Sequence, residues 1–290
     1  MYEIIKKEIL APKILLMEIK APRVAKYCEP GQFVIVRLDE YAERIPLTIC
    51  DFNRQKETIT IVFQAVGLST EKMLKLKTGD TFKDVAGPLG CPSAFITKDI
   101  TSLKQKKFLF VAGGVGAAPV YPQVKWLYQQ NIKTDVIIGA RNAEMLILEK
   151  EMREISKNLY LATDDGSLGH HGLVTDLIKK VVTETDEKYD ECIVIGPMIM
   201  MKFVSHLTKE LAIPTTVSMN AIMVDATGMC GACRLSVDKE VKFACVDGPE
   251  FDGHLIDFDE AITRQTLYKK NEQQAMQELN HQSGCCGGRK

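Results

Sequence analysis

Cys230 and Cys233 lie three positions apart in the stretch DATGMCGAC, and Cys245 follows in FACVDGP. Clustered thiolates are soft ligands suited to zinc or to iron–sulfur chemistry. Either kind of site ordinarily takes four ligands, and this stretch supplies three cysteines. A zinc knuckle, an iron–sulfur site completed by another residue, and three reduced, inert thiols are all open on this count. Cys28, Cys50, Cys91 and Cys192 read as small buried or loop residues, and the adjacent pair Cys285–Cys286 reads as incidental. The run GHHG at 169–172 invites a metal. Neighbouring histidines diverge on most backbones, however, so a loop role is expected.

Two other stretches have the composition of phosphate cradles. In VAGGVGAAP, an apolar strand runs through Gly113, Gly114 and Gly116 into a helix carrying Pro119. Bare backbone and the free N–H groups of a helix start can receive a pyrophosphate; an ordinary glycine-rich turn is the alternative. The spacing is not G-x-G-x-x-G, and the next strand ends in GAR, at Arg141, instead of in an acidic ribose ligand. In AVGLSTEKM, Gly67, Ser69 and Thr70 open a second helix, where Ser69 or Thr70 can equally serve as an N-cap. RIPLT precedes it. Arg44 carries a fixed, planar charge suited to phosphate, although single arginines are more often surface residues, and the Thr48 hydroxyl can meet a ring nitrogen.

The elements that must hold these groups divide the chain. Residues 1–98 are short β-rich runs separated by Pro, Gly and charged turns, with one helix from about Ser69 to Lys77, and they predict a small antiparallel barrel. Residues 99–218 alternate apolar strands with helical stretches, which predicts an α/β domain with a parallel sheet. Residues 219–268 form a Gly- and Cys-rich module followed by a helix, and 269–290 a polar tail. The fold class expected is therefore a β barrel plus α/β with a C-terminal cysteine module. A net charge of -1 gives no reason to expect nucleic acid. No apolar run reaches the roughly 18 residues of a membrane span. Nine cysteines without a signal-peptide core point to a reducing, cytoplasmic setting and not to a disulfide framework.

The order R-x-P-x-T, G-x-S-T, G-G-x-G-x-A-P and then the Gly-Pro turn at Gly196–Pro197 resembles the ferredoxin–NADP reductase superfamily, as do PGQFV at 30–34 and GPLG at 87–90. The resemblance spans residues 1–265. It implies that the barrel binds FAD and the α/β domain binds a nicotinamide nucleotide. Arg44, Pro46, Leu47 and Thr48 would hold the flavin, and Gly67, Ser69 and Thr70 its pyrophosphate. Gly113, Gly114, Gly116 and Pro119, with Arg141, Asp164, Asp165, Gly166, Gly196 and Pro197, would form the nucleotide site. One branch of the superfamily appends a 2Fe-2S module spaced C-x4-C-x2-C with a fourth ligand further on. Against that pattern, four residues before Cys230 stands Asp225, so the implied ligands are Asp225, Cys230, Cys233 and Cys245. The branch includes small subunits of NADH-dependent ferredoxin:NADP oxidoreductases and electron-transfer subunits of dihydroorotate dehydrogenases. The aspartate favours the former. It implies an electron-bifurcating heterodimer with a larger flavin/4Fe-4S subunit, the dihydroorotate system being the alternative. NAD(H) is the nucleotide expected, although Arg141 stands where an arginine can hold a 2′-phosphate. No dedicated catalytic side chain is expected, because hydride transfer between nicotinamide and flavin asks mainly for positioning.

Overall fold

The computed structural model of the chain describes residues 2–185 and 188–284. The β-rich first part forms β1 (Tyr2–Ala11), β2 (Ile14–Lys20), β3 (Phe33–Arg37), β4 (Ile45–Asn53), β5 (Thr58–Gln64), β6 (Thr81–Phe82) and β7 (Asp84–Leu89). These pair antiparallel in the order β6-β1-β2-β5-β4-β3-β7. Only Lys83 separates β6 from β7, so the chain joins the two edges and the sheet curls into a nearly closed barrel. Strand alternation turns Met17, Ile19, Val34, Val36, Ile59 and Ile61 into its core.

Two helices accompany the barrel. α1 (Pro22–Tyr27) adds Val24 and Ala25 to the same core. Its six residues with a proline at the start are too short to show helical periodicity in the sequence. α2 (Leu68–Met73) begins at the Gly67 cradle and ends before the expected Lys77. The reason is tertiary: the Lys7 ammonium on β1 takes the carbonyls of Leu74 and Leu76, both at 2.6 Å, and engages the backbone that would continue the helix.

After the short helix α3 (Ile100–Leu103), strands β8 (Phe108–Gly113), β9 (Asp135–Ala140), β10 (Asn158–Thr163), β11 (His170–His171), β12 (Glu191–Ile195) and β13 (Thr215–Ser218) alternate with helices. The helices are α4 (Ala117–Gln129), α5 (Glu149–Ile155), α6 (Val174–Thr185) and α7 (Met198–Glu210). The strands lie parallel in the order β11-β10-β9-β8-β12-β13. Every residue of β8 is buried, as a central strand covered on both faces requires. The chain leaves β8 first towards β9 and later towards β12. The carboxyl ends of β8 and β12 therefore flank a topological switch point, where open α/β sheets receive ligands.

The cysteine module contains the hairpin β14 (Arg234–Val237) and β15 (Glu240–Phe243), then β16 (Glu250–Asp252) and α8 (Phe258–Arg264), and α9 (Lys269–Gly284) follows it. β16 adds antiparallel to β13, so the module completes the edge of the parallel sheet. α9 occupies most of the polar tail and packs against α2. Cys285 and Cys286 lie outside the described residues.

Candidate functional site

Between the barrel and the switch point runs a cleft of about 1380 Å³. Pro46, Leu47 and Thr48 line it from β4, and Thr70 lines it from α2. Across from them, Gly113, Gly114, Gly116 and Pro119 line it from the β8–α4 turn, with Gly196 and Pro197 from the end of β12 and Arg141 and Asp164 from the ends of β9 and β10. Residues widely separated in sequence thus share one cavity because both sheets present loop ends to it.

The glycine turn shows why it is bare. Gly114 has φ +55, and a Cβ there would meet nothing within 4 Å, so its backbone faces open cleft at the start of α4. A Cβ on Gly116 would come within 2.1 Å of the Ile195 carbonyl oxygen, so the turn can nest against β12 only without a side chain. This is a cradle that an anionic group can fill, backed by the N–H groups of a 13-residue helix.

The remaining expected residues lie around the rim. Thr70 Oγ1 accepts the backbone N–H groups of Val66 and Gly67, both at 3.0 Å, which fixes the α2 start. The Ser69 hydroxyl donates to the Glu43 carboxylate. Arg44 does not line the cleft; its Nη2 donates to the Asp225 carbonyl at 3.4 Å. Asp165 and Gly166 sit in the turn beyond β10, outside the cleft lining. There the Ser167 hydroxyl and N–H, at 2.6 and 2.9 Å, hold the Asp165 carboxyl below the usual carboxylate range. The Asp165 N–H donates to the Arg141 carbonyl at 3.2 Å and ties the two strand ends together.

Phe33, Gln64, Met198, Met223 and Lys179 also line the cleft, beyond the residues expected from the sequence. Phe33 had a signal, since it lies within PGQFV and pairs with Thr48 across β3–β4. The others become neighbours only through tertiary packing.

The cysteine module holds the four expected ligands. Asp225 accepts from the Cys230 thiol at 3.2 Å and from the Thr227 and Cys230 N–H groups, each at 3.0 Å. The Thr227 hydrogen bond is the largest influence holding its carboxyl below the usual range. Cys233 and Cys245 are both buried, and Cys245 lies close enough to Cys233 to feel it. Burial, then the neighbouring Cys233, pushes the Cys245 thiol up to about 12. Gly228 at φ +81 and Gly231 at φ +68 make the tight loop possible.

Among the described residues, no three His, Cys, Asp or Glu side chains converge on a single-ion position. A two-iron cluster takes two ligands at each iron, and three thiols with one carboxylate in this module supply that number and chemistry. The residues therefore fit a 2Fe-2S group. GHHG forms β11 and the turn around it. Cys28, Cys50 and Cys192 are buried and Cys91 is exposed; burial pushes Cys28 up to about 12 and raises Cys50 and Cys192 as well.

Comparison with known proteins agrees with this layout. The iron–sulfur cluster binding domain of dihydroorotate dehydrogenase B matches residues 220–257, and the oxidoreductase NAD-binding domain matches residues 110–206. The "dihydroorotate dehydrogenase B (NAD(+)), electron transfer subunit homolog" of Thermotoga maritima is 44% identical over 93% of this chain and 92% of its own length. The chain belongs to the dihydroorotate dehydrogenase B electron-transfer subunit family, within the ferredoxin–NADP reductase superfamily.

Another relative in this family, an uncharacterized protein encoded in the adh 3′ region of Clostridium beijerinckii, is 56% identical over 100% of this chain and 99% of its own length. A solved structure, described as giving insights into flavin-based electron bifurcation via the NADH-dependent reduced ferredoxin-NADP oxidoreductase, matches at 41% identity with a TM-score of 0.86. It covers 96% of this chain and 98% of the other. The expected fold and oxidoreductase class hold, as do FAD, a 2Fe-2S cluster and NAD(H) as the cofactor set. Membership in a family of electron-transfer subunits implies a partner subunit. Among the described residues no helix is long and apolar enough to cross a membrane.

Proposed function

We propose that this chain is the NAD-linked electron-transfer subunit of an NADH-dependent ferredoxin:NADP oxidoreductase, working in the cytoplasm as a heterodimer with a larger subunit that carries flavin and 4Fe-4S clusters. The observation that carries this reading is the match over nearly the whole of both chains to the solved oxidoreductase subunit. The Asp-x4-Cys-x2-Cys ligand order supports it.

FAD, when bound, exchanges a hydride with nicotinamide and single electrons with an iron–sulfur cluster. The chain's own residues position these partners. Pro46, Leu47 and Thr48 form the β4 wall of the cleft. Thr70 keeps the N-terminus of α2 open. Gly113, Gly114 and Gly116 offer unhindered backbone to a dinucleotide phosphate, and Gly196 and Pro197 close the cleft from β12. Arg44, Gly67 and Ser69 on the barrel rim, and Asp165 and Gly166 beyond β10, are assigned to the phosphate and ribose ends. Asp225, Cys230, Cys233 and Cys245 would hold the 2Fe-2S cluster, which supplies a one-electron carrier beside the flavin. The division of labour follows residues 1–98, 99–218 and 219–268.

Purifying the native complex anaerobically and identifying its second subunit by mass spectrometry tests the reading. The expected partner carries flavin and 4Fe-4S motifs, and the complex oxidises NADPH only when NAD and ferredoxin are both present as acceptors. A pyrimidine-oxidising flavoprotein as the partner selects the dihydroorotate system instead. The match of the cluster module to that family keeps it as the second reading.

A further inference from the structure

The segment returning from the cysteine module to the parallel sheet crosses the middle of the molecule. The Cys91 N–H donates to the Gly248 carbonyl at 2.7 Å, and the Met219 N–H to the Pro249 carbonyl at 2.8 Å. The next residue is Glu250, at the start of β16. Its Oε1 accepts from the Ser93 hydroxyl at 2.8 Å and from the Gln123 amide at 2.8 Å. Ser93 belongs to the segment leaving the barrel and Gln123 to α4, the helix behind the glycine cradle; both are 0% exposed. The barrel closes on the same point, since a Cβ on Gly31 would come within 2.5 Å of Ser93 Oγ and 3.0 Å of Glu250 Oε1. That close approach is a physical reason for the glycine of PGQFV. One carboxyl group is thus shared by the barrel, the nucleotide domain and the cluster module.

The junction is also short of a donor. The two donors from Ser93 and Gln123 go to Oε1 of Glu250, and the Gln123 carbonyl oxygen is buried with no partner. An ionised carboxylate adds charge without adding a donor, whereas a protonated one removes the charge and brings an O–H. We propose that Glu250 is a proton-exchanging positioning residue: its carboxyl pins the cluster-bearing segment to the barrel exit and to α4, and its ionisation, by leaving a charge in a donor-poor junction, destabilises that junction.

The surroundings agree. Burial lifts the carboxyl to about 7, against the opposing pull of its Ser93 and Gln123 hydrogen bonds, and the charge of Glu191 adds to the rise. Glu191 is itself countered by Lys106 at 3.4 Å and Lys98 at 4.0 Å. On α4, Lys125 is tied to Asp51 at 2.6 Å, and on β16, Asp252 accepts the His254 N–H at 2.9 Å. The barrel presents the backbone of Gly31, and β13 presents Ser218 opposite Glu250. Glu250 as a whole residue is partly buried. Pro249, its neighbour, lines the cleft, so Glu250 stands one residue from the cofactor side.

The folded-state value lies above the ordinary 4.5, so the folded protein binds the extra proton. The stabilising contribution is complete below 4.5 and is lost as pH rises through about 7. The bearing on electron transfer rests on the proposed function; the pinning does not.

The test uses the full chain with its cofactors bound, from pH 5.5 to 8.5. Three quantities are followed: the thermal unfolding midpoint, the paramagnetic resonance spectrum of the reduced cluster, and the rate at which NADH reduces the cluster. In the unsubstituted protein all three are expected to change together near neutral pH. Glu250→Gln, isosteric with the neutral acid, should flatten the three profiles at the low-pH values. Ser93→Ala removes a donor that favours the charged form, so it should move the transition to higher pH. A Glu250→Gln protein that keeps the original pH dependence overturns the proposal, and so does a Ser93→Ala protein whose transition stays in place. If Glu250→Gln does not retain its cofactors, Ser93→Ala decides alone. A chain without a cluster would defeat the proposed function and leave the thermal profile to judge Glu250.

Discussion

Arg44 is a single residue with two claims on it. The resemblance assigns it to the flavin phosphate, and in the structure its guanidinium reaches the Asp225 carbonyl at 3.4 Å. A charge-assisted phosphate contact contributes roughly 1.5–3 kcal/mol. Arg44→Ala should therefore weaken FAD binding about ten- to a hundredfold, read from flavin fluorescence released on dilution. Unchanged retention would leave Arg44 as a partner of the cluster loop alone. Asp225 belongs to the same scale. Its carboxylate already collects two N–H groups and a thiol, so it is preorganised as an anionic ligand. Asp225→Cys should keep a 2Fe-2S cluster while changing its reduction potential and resonance signal. Asp225→Ala should make the cluster labile in iron and sulfide assays, and unchanged content, spectrum and potential would remove Asp225 from the ligand set. For Arg141, rates of flavin reduction by NADH and NADPH at equal concentration are the measurement. NADH is expected to be faster, and a clear preference for NADPH would make this side chain a 2′-phosphate ligand.

At the scale of elements, the β8–α4 turn does the positioning. Gly114 combines a left-handed backbone with open space where a side chain would point. Alanine there carries about 1–2 kcal/mol of backbone strain and puts a methyl group into the cleft. Gly114→Ala should raise the NADH dissociation constant in titrations while leaving FAD retention intact, because the barrel wall is untouched. Equal losses of both would show that the turn serves the flavin as well. The strand-plus-turn pattern made this element legible in the sequence, as it did the α2 start at Gly67. The length of α2 was not legible, because Lys7, some sixty residues earlier, captures the carbonyls that would have continued it.

For the whole molecule, the cleft lies between two sheets, so a ligand in it is linked to the stability of the folded state. With FAD present at a hundred times its dissociation constant, folding should gain about 2.7 kcal/mol. A thermal unfolding series across FAD concentrations measures this, and an unfolding midpoint that ignores FAD would place the flavin outside the folded cleft. The cluster module is tied into the same whole, since β16 extends the parallel sheet and Glu250 meets Ser93 and Gln123.

The amino-acid sequence determined the barrel, the alternating α/β segment and the glycine-rich turns, because each rests on short-range spacing: period-two strands and turns that need bare backbone. Thr48 and Gly114 could be named from such local patterns, and Pro46 and Leu47 from the family resemblance, before their shared cleft was seen. Only the tertiary structure decided that Asp225 meets the Cys230 thiol while Cys233 and Cys245 are buried, that Arg44 turns towards the cluster loop, and that β16 leaves its module to join β13. The Glu250 junction was invisible for the same reason. Its partners stand 157 and 127 residues away in the chain, and no spacing rule acts at that range; they meet because two sheets and a returning segment bury their polar groups at one point.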